Sequence, residues 1–191
     1  AISAHGRIDS DIEPNEKIEW QVPAKYLALY DCPPDEPDQK KRFRAVLTAL
    51  DDGIGRVLKA IDDLKLRERT LVLCISDNGA FMLKDRGLEV QSNAPLREGG
   101  VTTCEGGIRV PAIIRWPGRI KSGKTCREML SSLDVLPLAI AAAGGELPAD
   151  RVIDGRDPLK TLSGESPSPH ETLHWVWNQG RNQQWQALRQ G

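Results

Sequence analysis

Between Phe43 and Leu64 apolar side chains recur every three or four residues, at Phe43, Val46, Leu47, Leu50, Ile54, Val57, Leu58, Ile61 and Leu64. That period lines them along one side of a helix with charges on the other, and it predicts an amphipathic helix starting at Asp38. Two shorter runs lack the period. Thr70 to Ile75 is nearly uninterrupted apolar sequence, and Val110 to Trp116 is a second such run, ended by Pro117-Gly118. Short continuous runs bounded by turn residues predict buried strands. Leu130 to Ala143 predicts a second helix, with Ser131 or Ser132 near its cap and Gly144-Gly145 at its end. Thr172, Trp175, Val176 and Trp177 favour a further strand.

The polar stretches separate these elements. Residues 1 to 23 are irregular apart from Ala1-Ile2-Ser3-Ala4, which reads as the end of a strand, with His5 directly after it. Asp31 to Pro37 carries three prolines and reads as an extended loop. Gly79 to Gly107 is a loop of about thirty residues, a length that is usually functional or disordered. It carries Lys84, Arg86 and Arg97, and in Asn93-Ala94-Pro95-Leu96-Arg97 it presents a guanidinium suited to an oxyanion. Asp150 to Leu162 is turn-rich, anchored by Ile153, Leu159 and Leu162.

Composition narrows the classes. With 191 residues, 39% of them hydrophobic and 28% charged, the chain can bury a sizeable core. Lysine and arginine total 26 against 27 acids, so no basic excess favours nucleic acid. Cys32, Cys74, Cys104 and Cys126 are widely spaced and form no CxxC pair, which argues against a disulfide framework. The apolar segment from Leu133 to Ala143 is too short to span a bilayer and contains Asp134 and Pro137.

Candidate chemistry concentrates after the first predicted strand, where Ser76-Asp77-Asn78-Gly79 follows Ile75. An acid and an amide beyond the C-terminal end of a strand lie where α/β sheets bind ligands, and both offer the hard oxygens that calcium or magnesium prefers. The same four residues also suit a plain turn. His5 likewise reads as either a structural or a catalytic histidine. Gly53-Ile54-Gly55 falls inside the long helix, which excludes a phosphate-binding turn and points to close packing. Asp51-Asp52, on the same helix, reads as solvated surface.

His170-Glu171-Thr172-Leu173-His174 matches the HExxH zinc pattern. That chemistry needs a helix, and on a strand the two histidines stand about 13 Å apart, too far for one metal. Cys32-Pro33-Pro34-Asp35-Glu36 approaches a Cys-x-Pro-x-Arg nucleophile motif but has Glu where the cation is needed.

Taken in order, these blocks resemble the sulfatase family of the alkaline-phosphatase-like superfamily. The resemblance runs through His5-Gly6, Ala49-Leu50-Asp51-Asp52-Gly53-Ile54-Gly55-Arg56-Val57, Ser76-Asp77-Asn78-Gly79 and Asn93-Ala94-Pro95-Leu96-Arg97. It continues through Glu105-Gly106-Gly107-Ile108-Arg109-Val110-Pro111, Trp116-Pro117-Gly118, Ser132-Leu133-Asp134-Val135-Leu136-Pro137 and Val152-Ile153-Asp154-Gly155. It implies an α/β sandwich with a large mixed sheet flanked by helices, incomplete at the N-terminus. Residues 1–144 would be the C-terminal part of the catalytic domain and 145–191 the start of a smaller region.

The implied activity is calcium-dependent hydrolysis of a sulfate ester on a sulfated small molecule or carbohydrate. The nucleophile would be a formylglycine lying upstream, together with the first two acidic metal ligands. Asp77 and Asn78 then correspond to calcium ligands and His5 to the active-site histidine, with Arg97 and Lys84 against the sulfate. The resemblance also implies a periplasmic or secreted protein. A phosphoesterase or phosphonate hydrolase of the same superfamily, and a non-catalytic sulfatase-like binding protein, are the alternatives.

One departure bears on activity. Relatives read Gly-Lys-Gly before the Thr-Thr-aromatic-Glu-Gly-Gly block, and that lysine contacts the sulfate. Here the positions are Gly99-Gly100-Val101, with Cys104 at the aromatic position. Arg97 is expected to replace part of the lysine's function.

Overall fold

In the computed structural model, which describes residues 20–82, 90–177 and 185–191, the long helix begins at its predicted cap. The Asp38 carboxylate accepts from the backbone amides of Lys40 and Lys41 and satisfies two of the donors left open at a helix start. After a short turn of helix at Ala24–Leu27 (α1), helix α2 runs Gln39–Asp63. Strand β1 is Val72–Ile75, a helical turn α3 is Glu105–Ile108, and β2 is Ala112–Arg115. Helices α4 (Val135–Ala142) and α5 (Leu159–Ser163) precede strands β3 (Thr172–Trp177) and β4 (Trp185–Gln190). The chain divides into two units, Ala1–Lys65 with Asn78–Arg109, and Leu66–Asp77 with Val110–Gly191.

In the first unit, Trp20 meets Phe43 edge-on at 4.7 Å between ring centroids, and both pack with Val46, Val22, Phe81 and Val90. Leu27, Cys32 and Ala45 form a second cluster with Tyr26. The N-terminal half of α2 is therefore held by Ala45, Val46 and Ala49, its buried residues. Arg42 ties the preceding loop to the helix, donating from Nε to the Trp20 carbonyl at 3.0 Å and from Nη1 to the Pro34 carbonyl at 2.6 Å.

Much of the predicted apolar stripe is not buried. Leu47, Leu50, Val57 and Leu64 are all about half exposed or more. The close-packing reading of Gly53 and Gly55 is also corrected, because a Cβ at either would meet nothing within 4 Å. Asp52 is exposed as expected, yet it accepts a hydrogen bond from the Tyr26 hydroxyl. That bond holds its carboxyl below the usual aspartate range, with the positive charges of Lys25 and Arg56 adding to the effect against partial desolvation.

In the second unit β1 and β2 pair antiparallel, Val72 opposite Arg115 and Ile75 opposite Ala112. The expectation of a buried strand fails at Cys74 and Ile75, which are exposed, as is Ile113 on β2. A strand is buried on both faces only when other elements cover both, and the described residues of this unit do not cover these positions.

The predicted second helix starts at Ser131. Its hydroxyl accepts from the Leu133 amide, while the Asp134 carboxylate accepts from the Ser131 amide at 2.8 Å, a reciprocal cap. A 3-10 turn, Ser132–Asp134, leads into α4, and Gly144 at φ 74° closes it.

Asp134 is 3% exposed and gathers three segments. Besides Ser131 it accepts from the Arg156 amide at 2.8 Å and bonds His170 Nε2 at 2.7 Å. Gly155 permits the first of these approaches: a Cβ there would lie 2.0 Å from the Leu133 carbonyl oxygen. His170 lies outside β3 and its ring is committed to Asp134, so the HExxH match has a structural explanation. Strands β3 and β4 pair antiparallel, from Thr172 opposite Gln190 to Trp177 opposite Trp185. All four cysteines are free thiols, Cys32 buried. Among the described residues no helix is long and apolar enough to cross a membrane.

Candidate functional site

The ladder of β1 and β2 extends one step past the strands, where the Ser76 amide donates to the Pro111 carbonyl at 3.3 Å. Asp77 follows, exposed, and then Asn78, half-buried. From Asn78 onward the chain enters the first unit, and there its backbone is stitched to two other segments.

The Gly79 amide donates to the Gly107 carbonyl at 2.9 Å, and the Gly100 amide to the Ala80 carbonyl at 3.0 Å. The Gly106 amide donates to the Arg97 carbonyl at 2.8 Å, closing the circuit between the loop and α3. Thr102 Oγ1 donates to the Gly99 carbonyl at 2.9 Å.

Such an approach of three backbones requires glycine. A Cβ on Gly79 would stand 1.6 Å from the Gly106 carbonyl oxygen, and one on Gly106 would stand 2.0 Å from that of Glu98. On Gly107 it would meet the Thr102 carbonyl oxygen at 2.3 Å. All three distances are far inside van der Waals contact, so Gly79 and the Glu105-Gly106-Gly107 block form one packing unit.

Gly100, where the sulfate-contacting lysine was expected, belongs to the same knot. A Cβ there would lie 2.7 Å from the Gly79 carbonyl oxygen and 3.0 Å from Asn78 Oδ1. Val101 follows at φ 67°, a conformation that strains a β-branched residue and that glycine adopts freely. Gly100 and Val101 therefore bear on the backbone beside Asn78.

Of the residues the sequence singled out, the structure brings Asn78 together with the loop that carries Arg97. The Arg97 backbone is in the knot, but its guanidinium is 80% exposed with Glu98 Oε1 at 3.4 Å. His5 and Lys84 lie outside the described residues. Asp77 and Asn78 fit a hard cation by donor type, a carboxylate and an amide oxygen, and would supply two of the six to eight oxygens that calcium takes. Among the described residues no three of His, Cys, Asp or Glu cluster as a metal site, so further donors would have to come from elsewhere.

Sequence reasoning quoted Asn93 only as part of a motif. Its side chain makes three hydrogen bonds across the knot, a role that no local signal reveals. A cavity of about 460 Å³ in the second unit is lined by Thr125, Cys126, Arg127, Thr161 and Ser166 and contains none of the predicted site residues.

Comparison with known proteins bears on this geometry. A family model described as Sulfatase matches residues 18–145. Mouse steryl-sulfatase is 45% identical over 133 residues, a match covering 68% of this chain and 21% of the relative. N-acetylgalactosamine-6-sulfatase from the dog is 31% identical over 191 residues, covering 90% of this chain and 36% of the relative.

Among solved structures, Ps i-CgsB in complex with k-i-k-neocarrahexaose superposes with a TM-score of 0.77 at 24% identity, covering 95% of this chain and 38% of that one. The PsFucS1 sulfatase from Pseudoalteromonas sp. gives 0.67 at 26% identity, covering 96% and 33%. The fold is thus the α/β, alkaline-phosphatase-like fold of these sulfatases, and the chain spans between about a fifth and a third of the curated relatives' length, 21% and 36%. With its glycine knot, strand-end Asp77-Asn78 and family match in one stretch of sequence, the chain belongs to the sulfatase family.

Proposed function

We propose that the protein carrying this chain is a calcium-dependent sulfuric ester hydrolase acting on a sulfated carbohydrate or small molecule, outside the cytoplasm. The observation that supports it most is the pair Asp77-Asn78 at the end of β1, with Asn78 on a turn braced by glycine-only contacts, in a chain of the sulfatase family. Sulfated sugars enter through the relatives: one is named N-acetylgalactosamine-6-sulfatase, and a structural neighbour is described in complex with D-Glucosamine-2-N, 6-O-disulfate.

In this reading Asp77 and Asn78 would hold the cation, together with oxygens from outside the described residues. When bound, calcium would supply positive charge against the sulfuryl oxygens. His5 passes a proton to the departing oxygen, while Arg97 and Lys84 draw the anionic ester to the loop and hold its free oxygens. The nucleophile is a formylglycine that no motif in residues 1–191 supplies.

A second reading rests on one specific observation. Gly100 has no side chain, and its Cβ direction is closed by the Gly79 carbonyl and Asn78 Oδ1, so the loop offers no ammonium at that position. A protein built this way could bind sulfated sugars without turning them over.

Hydrolysis of an aryl sulfate by the full-length protein, before and after chelation, tests both. Activity lost on chelation, restored by calcium and reduced at least ~100-fold by Asp77→Ala supports the first, since even groups that only orient metal ligands contribute about 10–100-fold. Activity indifferent to chelation and to Asp77→Ala refutes it. Binding of a sulfated saccharide with no hydrolysis selects the second.

A further inference from the structure

We propose that Asn93 is a positioning residue for the candidate site, setting the orientation of Asn78 through the backbone of Ala80. This rests on the reading of Asn78 as a cation ligand.

The Asn93 side chain is half-buried and its amide faces one residue's backbone on both sides. Its Oδ1 accepts from the Ala80 amide at 2.9 Å, and its Nδ2 donates to the Ala80 carbonyl at 2.9 Å. The second Nδ2 hydrogen goes to the Glu98 carbonyl, also at 2.9 Å. Both donors and one acceptor position of the amide are therefore used, and the flipped amide would set donor against donor at Ala80.

The clamp acts on the turn two residues after Asn78. With the Gly79 amide bonded to Gly107 and the Ala80 amide and carbonyl bonded to Asn93, the backbone leaving Asn78 is held at both residues that follow it. The third bond carries the constraint to Glu98, in the loop that bears Arg97 and Gly100. This side chain thereby joins turn and loop alongside the backbone bond from the Gly100 amide to the Ala80 carbonyl.

Residue type is dictated throughout. Aspartate has the same shape but no donors, and it would turn a carboxylate oxygen toward the Ala80 and Glu98 carbonyls. Glutamine carries the same groups one methylene too far. Alanine leaves the Ala80 amide and the Glu98 carbonyl to water, and the Ala80 carbonyl with the Gly100 amide alone. Gly99 matches this arrangement, because a Cβ there would lie 2.6 Å from Asn93 Nδ2 and 2.1 Å from the Ala80 carbonyl oxygen. The loop therefore has a glycine where the clamp passes.

The test uses the full-length protein with an aryl sulfate, comparing wild type, Asn93→Asp, Asn93→Ala and Leu138→Ala. Leu138 is 3% exposed in the other unit, so its truncation lowers stability without touching the clamp. Both Asn93 variants are expected to raise the half-activating calcium concentration about 10–100-fold, with kcat lowered at limiting calcium and recovered in excess calcium, and KM shifted less than about threefold. Leu138→Ala is expected to unfold earlier at wild-type calcium dependence.

A wild-type calcium requirement in Asn93→Asp, or an equal shift in Leu138→Ala, overturns the proposal. If wild type itself ignores calcium, the cation reading fails, and amide hydrogen exchange then judges the clamp alone. Exchange at Ala80 and Gly100 at least about tenfold faster in Asn93→Ala, which removes the acceptor of the Ala80 amide, supports it, and unchanged exchange there overturns it.

Discussion

Replacing Asp134 by alanine should be the most costly change in the second unit, and the cost follows from counting what the carboxylate holds. The side chain is almost fully buried and accepts from the Ser131 amide, the Arg156 amide and His170 Nε2, all within 2.8 Å. Alanine leaves three partly buried donors without an acceptor, each costing about 1–3 kcal/mol when nothing replaces the bond. Relaxation and water entry reduce the sum, and we take about 3–5 kcal/mol as the expected destabilisation.

His170→Ala removes one of the three contacts and should cost roughly 1–3 kcal/mol. Asp134→Asn keeps an acceptor oxygen and should fall between. Equilibrium urea unfolding followed by tryptophan fluorescence reads these values, since Trp175 and Trp177 lie on β3 just after His170. The double-mutant cycle isolates the pair, and its coupling should be roughly 0.5–3 kcal/mol. Asp134→Ala within about 1 kcal/mol of wild type, or a cycle that closes with no coupling, would refute the reasoning.

Two smaller predictions concern α2. Gly53→Ala and Gly55→Ala should each stabilise the protein by about 0.5–1 kcal/mol, because a methyl group at either meets open space and glycine is costly inside a helix; a lower unfolding midpoint in either variant would show that something covers that face. Tyr26→Phe should move the Asp52 carboxyl up toward the ordinary aspartate range, read by its carboxyl-carbon NMR titration. Because the folded value is depressed, the Tyr26 bond contributes stability that is present above the unfolded aspartate value and lost as pH falls through the folded one, so the variant's stability should respond less to acid in that window. An unmoved titration would mean that the hydroxyl is not the main cause.

Several elements were legible because their causes are local. The start of α2 at Asp38, the caps at Ser131 and Gly144, and the strands in the apolar runs follow from interactions within a few residues. Family membership was legible too, since ordered motifs are a property of the chain alone. Burial was not. Periodicity marked Leu47, Leu50 and Val57 as apolar but could not say what covers them, and among the described residues they stand exposed.

The sequence by itself therefore determined where helices and strands begin, which residues are chemically able to hold a cation or an anion, and which family they belong to. Only the tertiary structure decided how those residues are held. The Asn93 clamp joins positions 13 apart and the Asp134–His170 contact positions 36 apart, and neither spacing leaves a trace in a local pattern. Gly100 carries the same contrast. As a letter it stands where the resemblance leads one to expect a lysine, whereas in the fold it is a backbone packed against Asn78 Oδ1, because non-local approach of one main chain to another depends on which segments the fold brings together.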